Sequence, residues 1–551
     1  MNGQLLPDGE DREIVLDVTS LSVSYGPTQV VQDVSFRVRQ GETVAIVGES
    51  GSGKSTTASA ILGLLSPGAA AAGSIRIAGV EVVGASEKTM RGLRRGTLAY
   101  VPQDPMSNLD PVHRVGAQVV EVANVVGGRA RRDADEHAIA ALESAGFAHA
   151  RERFRQYPHE LSGGMRQRAL IAMGVINAPQ LLIADEPTSA LDVTVQRVIL
   201  DNLESLVERS GTAVILVTHD LGLAAERADR VLVMHRGRVI EHGPSRTVLL
   251  QPQADYTRAL VAAAPANRAG AASPVSDGTA PVVLALSDVS KTYPARGHGR
   301  RRSAAVHAIQ DLSLEVRRGQ TLAVVGESGS GKSTAAAIAL RLVSPTAGSV
   351  RFHGDDITTA RGRELVEFRR RVQPIFQDPY ASLDPMSTVE RIITEPLRAF
   401  GLGDTATQRR RAAELLELVG LPASVRGRAP SELSGGQRQR VAIARALAPE
   451  PEVIICDEPV SALDVLVQAN VLDVLTRIQR ELGVAYLFIS HDLGVVEQIA
   501  HDVVVMAAGK VAEAGPTRDV FAAPTDPYTR QLLDSIPGRT LLSPEARLVR
   551  P

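Results

Sequence analysis

The sequence is poor in several features that mark particular classes of protein. It holds one cysteine, Cys456, among 551 residues. A disulfide framework is therefore impossible, and an iron–sulfur cluster held by four thiolates of this chain is excluded. Such sparing use of cysteine fits a reducing compartment. The formal net charge is −2, so no overall basic field favours nucleic acid as a partner.

Long apolar runs are also missing. No run reaches the roughly 18 residues that a transmembrane helix requires. The first residues, Met1 to Asp17, are polar and acidic, and they lack the basic, apolar and small-residue regions of a signal peptide. Apolar residues still make up 44% of the chain, which is ordinary for a globular protein with a core. We expect a soluble cytoplasmic protein of several domains that docks on other components.

What the chain does contain is a glycine-rich stretch between a strand and a helix. The apolar run Thr43 to Val47 predicts a buried strand, and Thr57 to Leu65 predicts a helix. Backbone N–H groups of such a loop close around phosphate oxygens, and the helix N-terminus adds partial positive charge. In this pattern the lysine reaches the β- and γ-phosphates and the serine after it ligates Mg²⁺. The predicted phosphate loop consists of Gly48, Glu49, Ser50, Gly51, Ser52, Gly53, Lys54, Ser55 and Thr56.

The same nine residues return later, because the chain is one module written twice. The second copy is Gly326, Glu327, Ser328, Gly329, Ser330, Gly331, Lys332, Ser333 and Thr334. Other paired motifs lie 272 residues apart, such as Asp185 with Asp457 and His219 with His491. We expect a first domain over residues 13–261, a flexible Ala/Pro-rich linker over 262–281 and a second domain over 282–535. In each module, near-continuous apolar strands separated by helices predict a parallel sheet covered on both faces.

Two adjacent carboxylates end an apolar strand in each module. They are Asp185-Glu186 and Asp457-Glu458, and burying such a pair is costly unless a cation or a proton balances it. The aspartates are predicted to hold Mg²⁺, and the glutamates to orient or deprotonate an attacking water.

This order of motifs resembles the ATP-binding subunits of ABC transporters. The resemblance implies two tandem P-loop NTPase cassettes of α/β class, each with a mostly parallel core sheet flanked by helices, an antiparallel β subdomain and a helical subdomain. It also implies that ATP is bound between the phosphate loop of one cassette and the Leu-Ser-Gly-Gly signature of the other, in a head-to-tail pairing within the chain. The signatures contribute Ser162, Gly163, Gly164, Ser434, Gly435 and Gly436.

Further site residues follow from the resemblance. His219 and His491, each 34 residues past the aspartate, resemble the switch histidine that contacts the γ-phosphate. The metal set implied is Ser55, Gln103 and Asp185 in the first cassette and Ser333, Gln377 and Asp457 in the second. Tyr25 and Tyr293 resemble the aromatic residue that stacks on adenine. Ser189 to Asp192 and Ser461 to Asp464 resemble the loop through which the cassettes communicate.

Two features narrow the resemblance to peptide/nickel-type importers. One is the Asp-Pro…Asp-Pro segment that follows each glutamine, at residues 104–111 and 378–385. The other is a C-terminal extension with a His-Pro-Tyr-Thr-type motif. Here it is written Ala-Asp-Tyr-Thr at 254–257 and Asp-Pro-Tyr-Thr at 526–529. The motif's histidine is missing in both copies, so a specific role for it does not transfer.

The resemblance implies an ATP-hydrolysing subunit that powers an importer for di- or oligopeptides, with ATP and Mg²⁺ as cofactors. It would lie on the cytoplasmic face of the membrane with two permease subunits and an extracytoplasmic solute-binding protein, without nucleic acid. An importer of another solute, such as nickel or glutathione, stays open. A ribosome-associated tandem ATPase is disfavoured by the Ala/Pro-rich linker and the slightly acidic charge, and an exporter by the missing membrane domain. The basic loop Arg296 to Arg302 is expected to be a solvated insertion, and contact with lipid headgroups is the alternative.

Overall fold

The computed structural model describes residues 12–125, 131–188, 191–268, 278–294, 305–461 and 463–539. They form two compact units, of which one comprises the described residues up to Ala264 together with Pro537 to Arg539, and the other the described residues from Pro265 to Ile536. Both units follow the same order of strands and helices. No helix in the described ranges is long and apolar enough to cross a membrane.

The first unit alternates strands and helices after an opening set of long strands. Its elements are β1 (Ile14–Tyr25), β2 (Thr28–Arg39), β3 (Thr43–Val47), α1 (Lys54–Ile61), β4 (Ala69–Ile77), β5 (Val80–Glu81), α2 (Glu87–Arg94), β6 (Leu98–Val101), α3 (Pro105–Asn108), α4 (Val115–Asn124), α5 (Arg131–Ser144), α6 (Ala150–Arg153), the 3-10 helix Pro158–Glu160, α7 (Gly163–Val175), β7 (Leu181–Asp185), α8 (Val193–Ser210), β8 (Ala213–Val217), α9 (Leu221–Arg227), β9 (Arg230–His235), β10 (Arg238–Pro244), α10 (Ser245–Leu250) and α11 (Asp255–Ala263).

The second unit begins with a short helix and then repeats this order. Its elements are α12 (Pro265–Arg268), β11 (Val282–Tyr293), β12 (Val306–Arg317), β13 (Thr321–Val325), α13 (Lys332–Ala339), β14 (Ala347–Phe352), β15 (Asp355–Asp356), α14 (Gly362–Arg371), β16 (Val372–Ile375), α15 (Pro379–Ser382), α16 (Val389–Ala399), α17 (Thr405–Leu418), the 3-10 helices Ala423–Val425 and Pro430–Glu432, α18 (Gly435–Leu447), β17 (Val453–Asp457), α19 (Val465–Leu482), β18 (Ala485–Ile489), α20 (Leu493–Ile499), β19 (Asp502–Ala507), β20 (Lys510–Pro516), α21 (Thr517–Ala522) and α22 (Pro527–Asp534).

A six-stranded, mostly parallel sheet forms the core of each unit. Its order is β10-β9-β3-β8-β7-β6 in the first and β20-β19-β13-β18-β17-β16 in the second, and only the edge strands β10 and β20 are antiparallel. The central strands are short Val/Ile/Leu runs that are buried along nearly their whole length, as strands covered on both faces require. Because these strands are parallel, the loops after β3, β7 and β8 meet at one edge of the sheet.

Two smaller parts complete each unit and confirm the predicted fold class. An antiparallel sheet of order β2-β1-β4-β5, or β12-β11-β14-β15, packs against the core sheet. The helices between β6 and β7, and between β16 and β17, bury a second apolar cluster. That cluster is the helical subdomain.

The first residues of the predicted linker are helical rather than flexible. Helix α12 begins at Pro265, a residue that suits a first helical turn because its missing N–H would have no partner there. It packs on α20: a Cβ on Gly494 would lie 2.7 Å from Pro265 Cβ, and Arg268 donates to Asp473 at 3.0 and 3.1 Å. Residues 269–277 lie outside the described ranges.

The equivalent tail of the second cassette belongs to the first unit. Pro537 and Gly538 lie on α9, where Gly538 N donates to Glu226 Oε2 at 3.1 Å. A Cβ on Gly222 would lie 2.3 Å from Pro537 O, and one on Gly538 would lie 2.5 Å from Gly222 Cα. The close approach therefore requires glycine on both sides. This return of the chain to the first unit is not part of the predicted boundaries.

Candidate functional site

The two phosphate loops depend on glycine for close backbone contacts. Gly48 has a φ of 149°, and a Cβ on it would lie 2.2 Å from Met234 O of β9. Gly326 repeats this against Met506 O of β19, at 2.1 Å. Gly53, with φ at 102°, then starts α1 in the left-handed region. Each loop is thus pressed onto the neighbouring strand in a shape that other residues do not adopt.

The loop lysines are buried and directed back at the loop. Lys54 Nζ donates to Gly48 O at 2.7 Å and to Glu49 O at 2.9 Å. Lys332 repeats both bonds in the second unit, at 2.6 and 2.8 Å. Each ammonium group is therefore held inside the ring of backbone that a phosphate chain would enter.

The two strand-end aspartates are carboxylates of the sites whose pKa is raised. Burial raises the pKa of Asp185 to about 6, helped by the charge of Glu186 and opposed by a hydrogen bond from Ser55 and by Lys54. Burial and the charge of Glu458 also raise the pKa of Asp457. Among the described residues Asp185 Oδ1 is buried without a hydrogen-bond partner. An anionic oxygen in this condition fits a site for a cation.

The glutamates next in sequence bind two other predicted site residues. Glu186 Oε2 accepts from Gln103 Nε2 at 2.7 Å, and Glu186 Oε1 lies 2.9 Å from His219 Nδ1. Glu186 itself is held at a φ of 44°, and its N–H donates to Val217 O at 2.8 Å. A non-glycine residue rarely adopts this conformation, so the surrounding contacts must hold Glu186 in it.

The second unit reproduces this triad. Gln377 Nε2 donates to Glu458 Oε2 at 2.8 Å, and His491 Nδ1 lies 3.1 Å from Glu458 Oε1. Glu458 has a φ of 47°. The structure thus brings the predicted glutamine, glutamate and histidine together twice, although 83 residues separate Gln103 from Glu186 in the chain.

In each cassette the histidine favours the charged form of the glutamate, and in the first cassette the glutamate also favours the charged form of the histidine. Burial raises the pKa of Glu186, but the hydrogen bond and charge of His219 lower it more, so the net shift is downward. Burial lowers the pKa of His219, but Glu186 raises it more, so the net shift is upward. The pKa of Glu458 is lowered in the same way by His491 against the effect of burial. The glutamates are therefore held ionised.

The signature residues lie at the N-termini of long helices. Ser162 caps α7 by accepting from Met165 N at 3.4 Å, and Ser434 caps α18 by accepting from Gln437 N at 3.3 Å. The glycines allow close packing, since a Cβ on Gly436 would lie 2.2 Å from Val467 Cγ1. The free end of such a helix is a site for anions.

The structure locates the two predicted adenine-stacking tyrosines but shows, among the described residues, no contact between them and the site residues above. Tyr25 ends β1 and is half-buried, while Tyr293 ends β11 with Lys291 Nζ 5.2 Å from its ring centroid. The facing of each signature by the opposite phosphate loop concerns both units and stays a prediction, as does adenine stacking. The following parts of predicted loops lie outside the described residues: Ser189, Ala190, Ala462 and Arg296 to Arg302.

Sequence reasoning missed one contact of the phosphate loops. The hydroxyls of Tyr256 and Tyr528 accept from Glu49 N and Glu327 N, each at 3.0 Å. Both tyrosines belong to the Tyr-Thr-Arg motif that recurs at the 272-residue spacing. That repetition was the only sign in the sequence that the tyrosines matter, and it did not indicate which residue they contact.

The chain matches two protein families, each in two places. Residues 31–189 and 309–461 match the ABC transporter family. Residues 240–297 and 512–543 match the oligopeptide/dipeptide transporter C-terminal region.

Its relatives include ATP-binding proteins of similar length. The oligopeptide transport ATP-binding protein OppD of Mycobacterium tuberculosis is 41% identical over 95% of this chain and 98% of its own. The glutathione import ATP-binding protein GsiA is 43% identical in Pectobacterium atrosepticum, over 97% of this chain and 91% of its own. In Escherichia coli K12 it is also 43% identical, over 96% and 90%. The chain therefore belongs to the ABC transporter family, as a tandem ATP-binding protein with two ABC-type ATPase cassettes.

Proposed function

We propose that this chain hydrolyses ATP in both cassettes to power an importer for di- and oligopeptides. The observation that carries the proposal is the complete set of Lys, Asp, Glu, Gln and His at the carboxyl edge of each core sheet, so neither site is degenerate. The solute class is supported by the two matches to the oligopeptide/dipeptide transporter C-terminal region and by the similarity to an oligopeptide transport protein.

The phosphate loops would hold the ATP phosphates. Lys54 and Lys332 supply positive charge inside the loops, and the buried hydroxyls of Ser52 and Ser330, which have no hydrogen-bond partner among the described residues, fit a polar ligand. Tyr25 and Tyr293 would stack on adenine.

Mg²⁺, when bound, would neutralise phosphate charge. Its protein ligands would be Ser55, Gln103 and Asp185 in the first cassette. In the second they would be Ser333, Gln377 and Asp457. The buried, unpartnered oxygen of Asp185 supports this set. Gln103 donates to Glu186 through its amide nitrogen, so the amide oxygen is the atom left to ligate the metal.

Glu186 and Glu458 would orient the attacking water and accept its proton. Each carboxylate is ionised and fixed by a glutamine and a histidine, which is the arrangement a general base requires. Glu186 also contacts Nδ1 of the His219 ring. The opposite nitrogen, Nε2, is then the one that contacts the γ-phosphate.

Closure of the two cassettes would complete each site. Gly48 to Thr56 would face Ser434 to Gly436, and Gly326 to Thr334 would face Ser162 to Gly164. A second helix N-terminus would then reach the γ-phosphate and exclude water. ATP binding would close the pair, and hydrolysis would let it reopen.

The remaining components of the importer would be separate chains. We propose two membrane permease subunits, an extracytoplasmic solute-binding protein and a location on the cytoplasmic face of the membrane, in line with relatives that are import ATP-binding proteins. Residues 13–261 and 282–535 would be the two functional cassettes.

Glutathione is a second candidate solute. Relatives named for glutathione import are 43% identical to this chain. Glutathione is itself a tripeptide, and contacts to the solute would lie in the partners rather than in this chain. The cassette sites therefore favour neither solute over the other.

Transport by the reconstituted complex tests the proposal. The chain is assembled with its permeases and binding protein in proteoliposomes, and uptake of a labelled dipeptide, a pentapeptide, glutathione and Ni²⁺ is measured with and without MgATP. We expect ATP-dependent uptake of a peptide, and none with the doubly substituted Glu186→Gln, Glu458→Gln chain. ATP-dependent uptake of Ni²⁺ alone, or sedimentation of the chain with ribosomes instead of permeases, would refute it.

A further inference from the structure

A single peptide group in each phosphate loop is held at both ends. In the first cassette it joins Gly48 to Glu49. Its carbonyl, Gly48 O, accepts from Lys54 Nζ at 2.7 Å, and its N–H donates to Tyr256 Oη at 3.0 Å. Because a peptide group is planar, fixing the N–H also fixes the direction of the carbonyl that binds the lysine.

The second cassette has the same arrangement. Gly326 O accepts from Lys332 Nζ at 2.6 Å, and Glu327 N donates to Tyr528 Oη at 3.0 Å. The two tyrosines come from the C-terminal extensions, about 200 residues after the loops they contact. The same contact in both copies, whose surrounding residues differ, points to a role in the site rather than to a chance contact.

A half-buried glutamate on the edge strand of each core sheet anchors the segment that brings the tyrosine to its loop. On β10 the Glu241 carboxylate accepts from Gln253 N at 2.8 Å and Ala254 N at 3.0 Å, immediately before α11 begins. Desolvation raises the pKa of Glu241, but these hydrogen bonds lower it more. The extension therefore starts at a fixed point beside the site.

The second anchor is Glu513 of β20. Its carboxylate accepts from Thr525 N at 2.8 Å and from Asp526 N at 3.2 Å. Desolvation raises its pKa, but the hydrogen bonds from Thr525 and Asp526 bring it down to about 2. The carboxylate is thus matched to backbone donors in both cassettes.

The hairpin that carries each anchor also holds the far side of the loop. Gly237 N, in the β9–β10 turn, donates to Ser52 O at 2.9 Å, and Gly509 N donates to Ser330 O at 3.1 Å. In the first cassette the His235 ring additionally packs on Tyr256, with centroids 4.0 Å apart. Loop, hairpin and extension therefore form one connected support.

We propose that Tyr256 and Tyr528 are positioning residues of the ATP sites, through which each C-terminal extension orients the lysine-binding peptide group of its own phosphate loop. The inference rests on the proposed function only in that these loops bind ATP. The hydroxyls touch no reacting atom, so they act on nucleotide affinity rather than on the chemical step. The extension then contributes to its own cassette whatever solute is carried.

Tyr256→Phe and Tyr528→Phe test this, since each removes one hydroxyl and keeps the ring. Binding of MgATP and MgADP to the purified full chain is measured by calorimetry, with Lys332→Ala or Lys54→Ala silencing the other site. Loss of one partly buried hydrogen bond predicts a rise in Kd of about three- to tenfold for both nucleotides. In steady state, KM for ATP should rise with kcat nearly unchanged.

Tyr486→Phe is the matched control. Tyr486 also has a hydroxyl bond to backbone, to Leu475 O at 3.0 Å, but in the core of the second unit. The Tyr486→Phe substitution should lower the melting temperature and leave the nucleotide Kd unchanged. The proposal is overturned if both loop variants raise Kd by less than about threefold, or if Tyr486→Phe raises it equally.

The outcomes also separate this proposal from the proposed function. Wild-type chain that binds no nucleotide would refute the ATPase function itself. Normal nucleotide effects with no peptide uptake would refute only the importer assignment, because binding is measured without permeases.

Discussion

The two cassettes make the same contacts among the residues that are expected to act on ATP. They differ in the residues that hold those contacts in place. The loop lysines, glutamates, glutamines and histidines make the same contacts in both cassettes. Around the tyrosine that reaches the loop, the first cassette has His235 packed on the ring in a tilted contact and Ala254 before α11. The second has Ala507 and Asp526 at these positions, and Asp526 caps α22. The contacts at the site are therefore the same in both cassettes, whereas different residues can hold the tyrosine in place.

The sharpest test of this likeness is removal of the general base from one cassette at a time. Glu186→Gln and Glu458→Gln should each lower ATP turnover of the assembled transporter by about 100- to 1,000-fold, since each removes a positioned group acting on the transition state. ATP affinity should be largely kept, because the phosphate loops are untouched. Turnover is measured by phosphate release and affinity by calorimetry. Wild-type turnover in either variant would show that the cassettes differ in function.

Metal dependence offers a second, smaller test of the likeness. Chelation of Mg²⁺ should abolish turnover, and Asp185→Asn or Asp457→Asn should raise the Mg²⁺ concentration for half-maximal activity by at least about tenfold. Asp201→Asn, which removes a carboxylate on the outer helix α8, is the control and should leave this requirement unchanged. An unchanged requirement in only one of the two site variants would break the symmetry.

The different helix starts can be exchanged to sharpen the contrast. Asp526 accepts from Tyr528 N at 2.8 Å, so Asp526→Ala should cost about 1 kcal/mol. This corresponds to about 2–4 °C in the second unit's calorimetric transition. Asp526→Asn keeps a capping side chain and should restore most of the loss. Ala254→Asp should stabilise the first unit. An Asn variant as unstable as the Ala variant would argue against capping.

The smallest effect expected is the pH dependence of the His219–Glu186 pair. The pKa of His219 is raised above its ordinary 6.5, so its stabilisation is complete below pH 6.5 and is lost as pH rises through the raised value. The pKa of Glu186 is lowered from 4.5, so the pair also fails in strong acid. The melting temperature of wild type should therefore exceed that of His219→Gln by more at pH 6 than at pH 9.

A second histidine variant controls that pH experiment. His242 is exposed on β10, and His242→Gln should show the same melting temperature difference at both pH values. If His219→Gln also gave a constant difference, the pair would not be an ion pair in the native protein.

Much of the site could be predicted because the carboxyl ends of parallel strands, and the loops that follow them, lie along one edge of the sheet. The 34-residue spacing from Asp185 to His219, repeated in both modules, supported the histidine as a site residue. The structure joins it to Glu186 because β7 and β8 are adjacent and parallel. The need for backbone N–H groups to close around phosphate likewise predicted glycines in the loop. The close approach of Gly48 to Met234 O explains one of them.

The contacts that escaped prediction use groups without a sequence pattern. Tyr256 binds a backbone N–H, which nearly every residue has, so nothing in the sequence marks Glu49 as its partner. The helix at Pro265 was hidden because an Ala/Pro-rich segment is typical of linkers, whereas packing on Gly494 decides its structure.

The return of Pro537 and Gly538 to the first unit has a consequence for biosynthesis. Ribosomes add residues from the N-terminus at about 5–20 per second. The 272 residues from Pro265 to Ile536 separate the two parts of the first unit, so its last segment emerges roughly 15–55 s after the rest. Until then the surface around Gly222 and Glu226 stays uncovered. The nascent first cassette is thus completed only when the second has been synthesised.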